Sequence, residues 1–132
     1  MSGFDSLDKR KNSIVIDLDG TLTLESEKSY EDKDPNLGVI NTLKKYRNSG
    51  FHIVVCTARN MRTFDGNIYK IKRETLPIIE RWLKKHDVPF DEIIIGKPWC
   101  GEKGFYVDDK AIRPDEFTRL TSYQIERIVN RT

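Results

Sequence analysis

Two carboxylates end a short apolar run near the N-terminus of the chain. Asp17 and Asp19 follow residues 14–16, and the chain then turns into Gly20 and Thr21. The apolar run predicts a buried strand, and open parallel sheets bind their ligands at the carboxyl ends of such strands. Gly20 would allow the sharp turn after Asp19. Because Asp-x-Asp-Gly strings also occur in calcium loops and solvated turns, this motif alone does not establish a phosphoryl-transfer nucleophile.

Three further apolar runs also end on polar side chains. Their ends carry a hydroxyl, a lysine and a carboxylate pair, in the order Thr57, Lys97 and then Asp108 with Asp109. Each has an ordinary alternative, since the threonine could cap a helix, the lysine could be solvated and the aspartates could start a turn. Taken together, the four ends supply a nucleophile, a phosphate hydrogen-bond donor, a cation and metal ligands. This combination favours phosphoryl transfer.

The four motifs resemble, in the same order, those of the haloacid dehalogenase superfamily of phosphatases, over about residues 13–120. More narrowly, residues 57–61, 96–99 and 104–114 resemble the small phosphatases encoded with bacterial capsule and polysaccharide biosynthesis genes. The resemblance implies an α/β fold, a Rossmann-like three-layer sandwich with a mostly parallel sheet. The gaps between the motifs leave no room for an inserted cap domain, so we expect a minimal cap or none.

The residue types then suggest individual roles. Asp17 is expected to attack phosphorus and form an aspartyl-phosphate. Asp19 would protonate the leaving oxygen and later accept a proton from water. Thr57 would donate a hydrogen bond to a phosphoryl oxygen, and Lys97 would offset negative charge in the transition state. The resemblance implies that an acid at position 19 favours hydrolysis over a long-lived phosphoenzyme.

A cluster of carboxylates would also require a cation, because close carboxylates resist common ionisation. Mg²⁺ prefers oxygen ligands in octahedral geometry. We expect its ligands to be Asp17, the backbone carbonyl of Asp19, and either Asp108 or Asp109. Which member of that last pair binds the metal stays open.

Two polar segments lie beside these motifs and are expected to face the substrate. Residues 59–74 show no clear periodicity and predict a lid or specificity loop, since long loops in compact domains are usually functional or disordered. Residues 22–35 are acidic and predict a flap hairpin. The candidate substrate-binding residues are Gly20, Ala58, Arg59, Asn60, Asn67 and Trp99.

The helical spacing of apolar residues predicts three helices. The first begins after Asn36 and ends at Gly50. Pro77 is expected to interrupt the second pattern, with Thr75 as the N-cap of a helix that contains the proline in its first turn. A capping box headed by Thr121 predicts the last helix. The link over residues 96–104 is too short for a crossover helix, so either it runs extended or strands exchange between subunits.

Composition favours a single cytoplasmic enzyme domain. Residues 1–12 are expected to form an N-terminal arm and residues 13–132 one phosphatase domain. With 23 basic and 21 acidic residues, the net charge of +2 argues against a nucleic-acid partner. No apolar stretch approaches the ~20 residues that cross a bilayer, and residues 1–12 lack the apolar region of a signal peptide. A homo-oligomer could complete the uncapped site.

The favoured function is magnesium-dependent hydrolysis of a small phosphorylated metabolite, such as a sugar phosphate of surface-polysaccharide synthesis. One alternative is a phosphorylation-dependent binding module resembling two-component receivers, which combine similar residue types. Receivers place the acidic pair before the phosphorylated aspartate, whereas here the pair comes last. Another alternative, a protein phosphatase, is permitted by an open site.

Overall fold

A three-stranded parallel sheet forms the centre of the first of two compact units. The computed structural model describes residues 12–131, and the chain divides into Met1–Trp99 and Cys100–Thr132. Strands β1 (Ser13–Ile16), β2 (His52–Thr57) and β3 (Glu92–Ile95) pair in the order β1-β2-β3. The strands are parallel, so their carboxyl ends share one edge. The expected α/β fold with a parallel sheet is confirmed.

Helix α1 (Leu37–Asn48) connects β1 to β2 and has the expected ends. The Asn36 side chain accepts a hydrogen bond from the Val39 N–H at its start. Gly50 follows its end with φ +96°, a left-handed conformation that glycine adopts without steric cost. The core of this unit combines helix and strand side chains that are at most 2% exposed, among them Val39, Ile40, Leu43, Ile53, Val55, Ile79, Trp82 and Leu83.

The helical segment between β2 and β3 continues through the region where we expected Pro77 to interrupt it. A short turn (Ile68–Lys70) and a π-helical turn (Ile71–Thr75) lead into α2 (Leu76–Lys85). Proline has no N–H to donate to the residue four positions back. The wider turn accommodates this, since the Leu76 N–H donates to the carbonyl of Ile71. Thr75 is the N-cap position of α2 and Pro77 lies in its first turn, as predicted, but the Thr75 side chain forms no capping hydrogen bond and the expected break in the helical backbone is absent.

The second unit contains two short helices, α3 (Pro114–Arg119) and α4 (Ser122–Val129). The capping box is confirmed, because Thr121 Oγ1 accepts from the Gln124 N–H at 3.2 Å and Gln124 Oε1 accepts from the Thr121 N–H at 2.9 Å. The expected strand over residues 104–109 is absent from this unit's described residues. A parallel strand after β3 needs a crossover of about a dozen residues or more, and residues 96–103 are too few. Across residues 12–131, no helix is long and apolar enough to span a membrane.

The opposite edge of the sheet is held together by Asp91. Its carboxylate accepts from Arg47 Nη1 at 2.7 Å and from the Ile53 N–H at 2.8 Å, and it lies 3.4 Å from Nδ1 of His52. Burial opposes the charge, but these hydrogen bonds outweigh it and lower the pKa of Asp91. His52 also contacts Glu92 at 2.6 Å. One carboxylate thus joins the end of α1 to the starts of β2 and β3.

We predict that Asp91→Asn lowers the melting temperature by a few degrees at neutral pH. Hydrogen bonds to a charged group contribute about 1.5–3 kcal/mol each, and the amide would keep only part of this. Since the folded pKa lies below the usual value near 3.8, this stability is present above that value and is lost as pH falls through the folded pKa. The difference should shrink in acid, as measured by thermal denaturation at both pH values.

A suitable control is Asp87→Asn, because the Asp87 side chain is 93% exposed and its ion pair with Lys44 lies at the surface. Its melting temperature should match that of the wild type at both pH values. Equal melting temperatures for Asp91→Asn and wild type at neutral pH would contradict the account.

Candidate active site

Three of the predicted catalytic side chains converge at the carboxyl edge of the sheet. Asp17 follows β1, Thr57 is the last residue of β2, and Lys97 comes shortly after β3. The Lys97 N–H donates to the carbonyl of Thr57 at 3.1 Å, which extends the β2–β3 pairing beyond the strand. Lys97 Nζ lies 3.5 Å from Asp17 Oδ1. A carboxylate, a hydroxyl and an ammonium group therefore occupy neighbouring strand ends.

Asp17 carries a negative charge that its surroundings only partly compensate. Its side chain is 36% exposed, and its Oδ2 accepts from Thr21 Oγ1 at 3.3 Å. Burial raises the pKa of Asp17, the nearby Asp19 raises it further, and Lys97 opposes both without overcoming them. An added positive charge beside Asp17 would favour its ionised form further.

The turn after Asp17 requires glycine. Gly20 has φ +81°, and a Cβ at that position would lie 2.7 Å from Oε1 of Glu25. The Gly20 N–H donates to Thr23 Oγ1 at 3.2 Å, and the Thr23 N–H donates to the carbonyl of Leu18 at 3.1 Å. These bonds fix the course of the chain at Asp19. Substrate binding by Gly20 stays a prediction.

Asp19 is paired with Arg59, a residue from the turn after β2. Arg59 Nε lies 3.0 Å from Asp19 Oδ2, and Nη2 lies 2.7 Å from Oδ1, so the pair is bidentate. The Arg59 side chain is only 1% exposed, whereas that of Asp19 is 33% exposed. We had expected Arg59 to bind substrate, a role that stays a prediction. The structure places its guanidinium on the second carboxylate of the Asp-x-Asp motif.

Thr57 is oriented by the same turn. Thr57 Oγ1 accepts a hydrogen bond from the Arg59 N–H at 3.1 Å, and Thr57 is only 1% exposed to solvent. A hydroxyl that accepts one hydrogen bond still has its own proton to donate. Thr57 can therefore supply the donor that a phosphoryl oxygen needs.

The irregular segment after β2 is shorter than expected. Asn67 Oδ1 accepts from the Lys70 N–H at 3.1 Å and starts the helical backbone at Ile68, so the non-helical stretch is limited to residues 58–67. The π-helical turn changes the usual spacing of apolar residues, so that spacing does not indicate the helix. Asn60 has φ +63°, and its side-chain oxygen accepts a hydrogen bond from Thr75 Oγ1 at 2.7 Å. The Ala58 carbonyl accepts a hydrogen bond from the Met61 N–H. Substrate contacts by these residues stay predictions.

Trp99 is the last residue of the first unit and is 44% exposed. The guanidinium carbon of Arg62 lies 5.1 Å from the centre of its ring. This exposure does not agree with a core position for Trp99. Its aromatic face can therefore contact a ligand, although stacking on a sugar stays a prediction.

Residues 22–35 form a flap, but not a regular hairpin. The segment is closed at its base by a single antiparallel bridge between Thr23 and Pro35. The Lys33 carbonyl accepts from Trp82 Nε1 at 2.8 Å, which fixes the flap to α2. Tyr30 lies in a short 3₁₀ turn, and its ring faces Arg59 with the guanidinium carbon 4.0 Å from the ring centre. We did not predict a role for Tyr30, whose only signal was an aromatic residue in an acidic segment.

The acidic pair belongs to the second unit. Asp108 Oδ1 accepts from the Lys110 N–H at 2.8 Å, and Asp109 starts the turn that continues into Lys110. Within residues 12–99, no three His, Cys, Asp or Glu side chains are grouped closely enough to hold a metal ion. The metal-binding roles of Asp108 and Asp109 stay predictions.

Comparison with known proteins identifies the class. The profile of haloacid dehalogenase-like hydrolases matches residues 14–81, just over half of the chain. The chain is 51% identical to a Vibrio cholerae protein of known crystal structure, with a TM-score of 0.88 over 89% of this chain and 96% of that one. The chain therefore belongs to the haloacid dehalogenase-like hydrolases.

More distant similarity adds no argument about function. Two structures of a Pnkp1/Rnl/Hen1 complex, one of them described as an RNA repair complex, share 23% identity with this chain at a TM-score of 0.48. The matches cover 64% and 84% of this chain, but only 25% and 34% of those chains. No match was found among curated proteins.

We predict that Asp17→Asn raises the melting temperature at neutral pH in the presence of a chelator. Because burial raises the pKa of Asp17 in the folded protein, its ionisation lowers stability as pH rises above the unfolded value near 3.8. A neutral amide avoids this cost. The difference from wild type should therefore shrink as pH falls towards that value in thermal denaturation experiments.

The matched control is Asp65→Asn, since Asp65 is exposed with φ +49°, a conformation that asparagine tolerates equally well. This variant removes a charge of the same sign and should have the same melting temperature as the wild type. An Asp17→Asn protein that melts below wild type at neutral pH would show that the charge of Asp17 stabilises the fold.

Proposed function

We propose that this hydrolase is a magnesium-dependent phosphatase that cleaves phosphomonoesters of a small metabolite through an aspartyl-phosphate on Asp17. The observation that supports it best is the arrangement at the sheet edge. Asp17 faces Lys97 at 3.5 Å, and the next carboxylate, Asp19, is held by Arg59 at 2.7 and 3.0 Å. Two carboxylates two positions apart thus have different partners, as a nucleophile and a proton-transfer group would require.

Asp17 would act as the nucleophile. Its two oxygens contact Lys97 and Thr21, and each oxygen of a carboxylate retains a further lone pair for attack on phosphorus. Lys97 is a compact point charge that offsets the charge of both the carboxylate and the phosphoryl group. Thr57 would donate its hydroxyl proton to a phosphoryl oxygen.

Asp19 would transfer protons in both halves of the reaction. When the bond between phosphorus and the leaving oxygen breaks, the electron pair of that bond stays on the oxygen. The oxygen then takes the proton of Asp19. In the second half, Asp19 takes a proton from the attacking water while the bond between Asp17 and phosphorus breaks. Such proton transfer typically contributes about 10²- to 10⁴-fold in rate.

The donor set at the edge fits a hard divalent cation. Asp17 and the backbone carbonyl of Asp19 supply oxygen ligands of the kind that Mg²⁺ prefers. Burial and Asp19 leave the charge of Asp17 undercompensated, with its pKa raised despite Lys97, so a further cation would be bound favourably. We propose Asp108 or Asp109 as the remaining protein ligand. When bound, the ion would neutralise charge on the phosphoryl oxygens.

The substrate proposal rests on the narrower resemblance. The segments at residues 57–61, 96–99 and 104–114 resemble phosphatases of capsule and polysaccharide biosynthesis, which supports a sugar phosphate or a related intermediate as substrate. Trp99 follows Lys97 closely and is partly exposed, so its ring could cover one face of a sugar. Neither segment between the motifs contains a separate cap domain, and the flap contacts the site through Tyr30, which faces Arg59.

Membership of a hydrolase family favours turnover over the phosphorylation-dependent binding module considered from the sequence. The position of Asp19 agrees with turnover, because a neighbouring acid and base would shorten the life of a phosphoaspartate. No observation favours a protein substrate.

We predict that the wild type hydrolyses a generic aryl phosphate only with magnesium. Activity should stop in excess chelator and return when Mg²⁺ is restored, whereas Ca²⁺ should inhibit because its looser coordination disturbs in-line geometry. Asp17→Asn should lower kcat by at least about 10³-fold with Mg²⁺ present, since an amide cannot attack phosphorus.

Asp87→Asn controls for the lost charge and should keep wild-type turnover, because the Asp87 side chain is 93% exposed and lies outside residues 59–74 and the flap. Full activity in excess chelator would refute the metal requirement, and near-normal turnover of Asp17→Asn would refute the nucleophile. A panel of phosphorylated sugars then identifies the substrate by the largest kcat/KM.

A further inference from the structure

Arg59 is enclosed by catalytic and flap residues rather than open to a ligand. Its Nε and Nη2 form the fork on Asp19 at 3.0 and 2.7 Å, and its side chain is 1% exposed. Such a fork is planar and fixes the orientation of the carboxylate as well as its distance. The orientation of Asp19 therefore depends on a residue forty positions away in the chain.

The other side of the guanidinium is covered by the flap. The Arg59 carbon Cζ lies 4.0 Å from the centre of the Tyr30 ring, a distance that allows a cation–π interaction. Tyr30 is held in place because the flap is bonded to α2 through the Lys33 carbonyl and Trp82. Arg59 thus joins the flap to Asp19.

The hydrogen bonding of Arg59 indicates a role in function rather than in stability alone. Nη1 is buried and has no hydrogen-bond partner among the described residues. A buried donor without a partner costs free energy, and such groups in native structures call for an explanation. In Arg59, Nη1 has no partner while Nε and Nη2 both bind Asp19, the proposed proton-transfer group.

We propose that Arg59 is a positioning residue that holds Asp19 in the orientation needed for proton transfer, and that Tyr30 keeps Arg59 in place. This inference rests on the proposed phosphatase function. The fork uses one lone pair on each oxygen of Asp19, so each oxygen keeps another for the proton. Because Asp19 is 33% exposed, those lone pairs remain accessible to a leaving group or to water.

The test compares an alkyl phosphate, whose leaving oxygen must be protonated, with an aryl phosphate, which needs little protonation. Neither substrate carries a second anionic group. Misplacing a catalytic group by about 1 Å can cost about 10²-fold in rate. We expect Arg59→Ala to lower kcat/KM for the alkyl phosphate by about 10²-fold, and for the aryl phosphate by less than about fivefold.

A phosphoenzyme should also accumulate in Arg59→Ala with the aryl phosphate, because misplaced Asp19 activates water poorly. Arg59→Lys keeps the charge but not the fork, so its alkyl kcat/KM should lie between wild type and Arg59→Ala. Arg81→Ala removes an exposed arginine from α2 and should leave both substrates unaffected.

A double-mutant cycle tests whether Arg59 acts through Asp19. In the Asp19→Asn background, Arg59→Ala should lower alkyl kcat/KM by less than about twofold, since the group that it positions is already lost. If Arg59→Ala does not fold, as judged by circular dichroism, Tyr30→Ala provides the same comparison, with a several-fold loss on the alkyl phosphate only.

Three outcomes would overturn the proposal: equal losses on both substrates, no loss on either, or fully additive losses in the cycle. No loss on either substrate would instead favour the substrate-binding role that the sequence suggested for Arg59. Failure of the phosphatase proposal is recognised separately, because either the wild type would not hydrolyse the aryl phosphate or Asp17→Asn would retain turnover, whatever Arg59 does.

Discussion

Lys97 reaches Asp17 across the central strand β2, with 3.5 Å between Nζ and Oδ1, and this contact depends on the parallel register of all three strands. Parallel pairing brings three carboxyl ends to one edge although the residues are far apart in sequence. The bond from the Lys97 N–H to the Thr57 carbonyl holds the loop after β3 against β2. A register slip of one residue would turn Thr57 to the opposite face and separate the group.

The second constraint is local and acts on Asp19. The left-handed conformation of Gly20 sets the turn after β1. Arg59, which lies in the turn after β2, donates hydrogen bonds to the Asp19 carboxylate. Tyr30 and the flap close over that arginine. The two aspartates of one motif therefore differ in environment: Asp17 has an undercompensated charge beside Lys97, whereas Asp19 has a bidentate partner. This difference allows one motif to provide both a nucleophile and a proton-transfer group.

The parts of the fold that depend on residue type and short-range pattern were predictable from the sequence. The three strands and the grouping of Asp17 with Lys97 follow from apolar runs that end on polar residues. The pairing of Arg59 with Asp19 was missed because it depends on two turns whose dihedral angles a sequence does not specify. The continuous helix through Pro77 was missed because a π-helical turn, closed by the bond from the Leu76 N–H to the Ile71 carbonyl, leads directly into the helix that contains the proline. The fourth strand was predicted wrongly because an apolar run does not show whether a neighbouring strand is within reach for pairing.

The most direct test of this account is whether Asp17 becomes phosphorylated. In Asp19→Asn, an aryl phosphate should still phosphorylate Asp17, but hydrolysis of the intermediate should be slow because no base remains to activate water. After rapid acid quench, mass spectrometry should find a phosphate-sized increase on the peptide that contains Asp17, and no increase in the Asp17→Asn, Asp19→Asn double variant. An unmodified Asp17 peptide in Asp19→Asn, together with near-normal turnover of Asp17→Asn, would contradict the account.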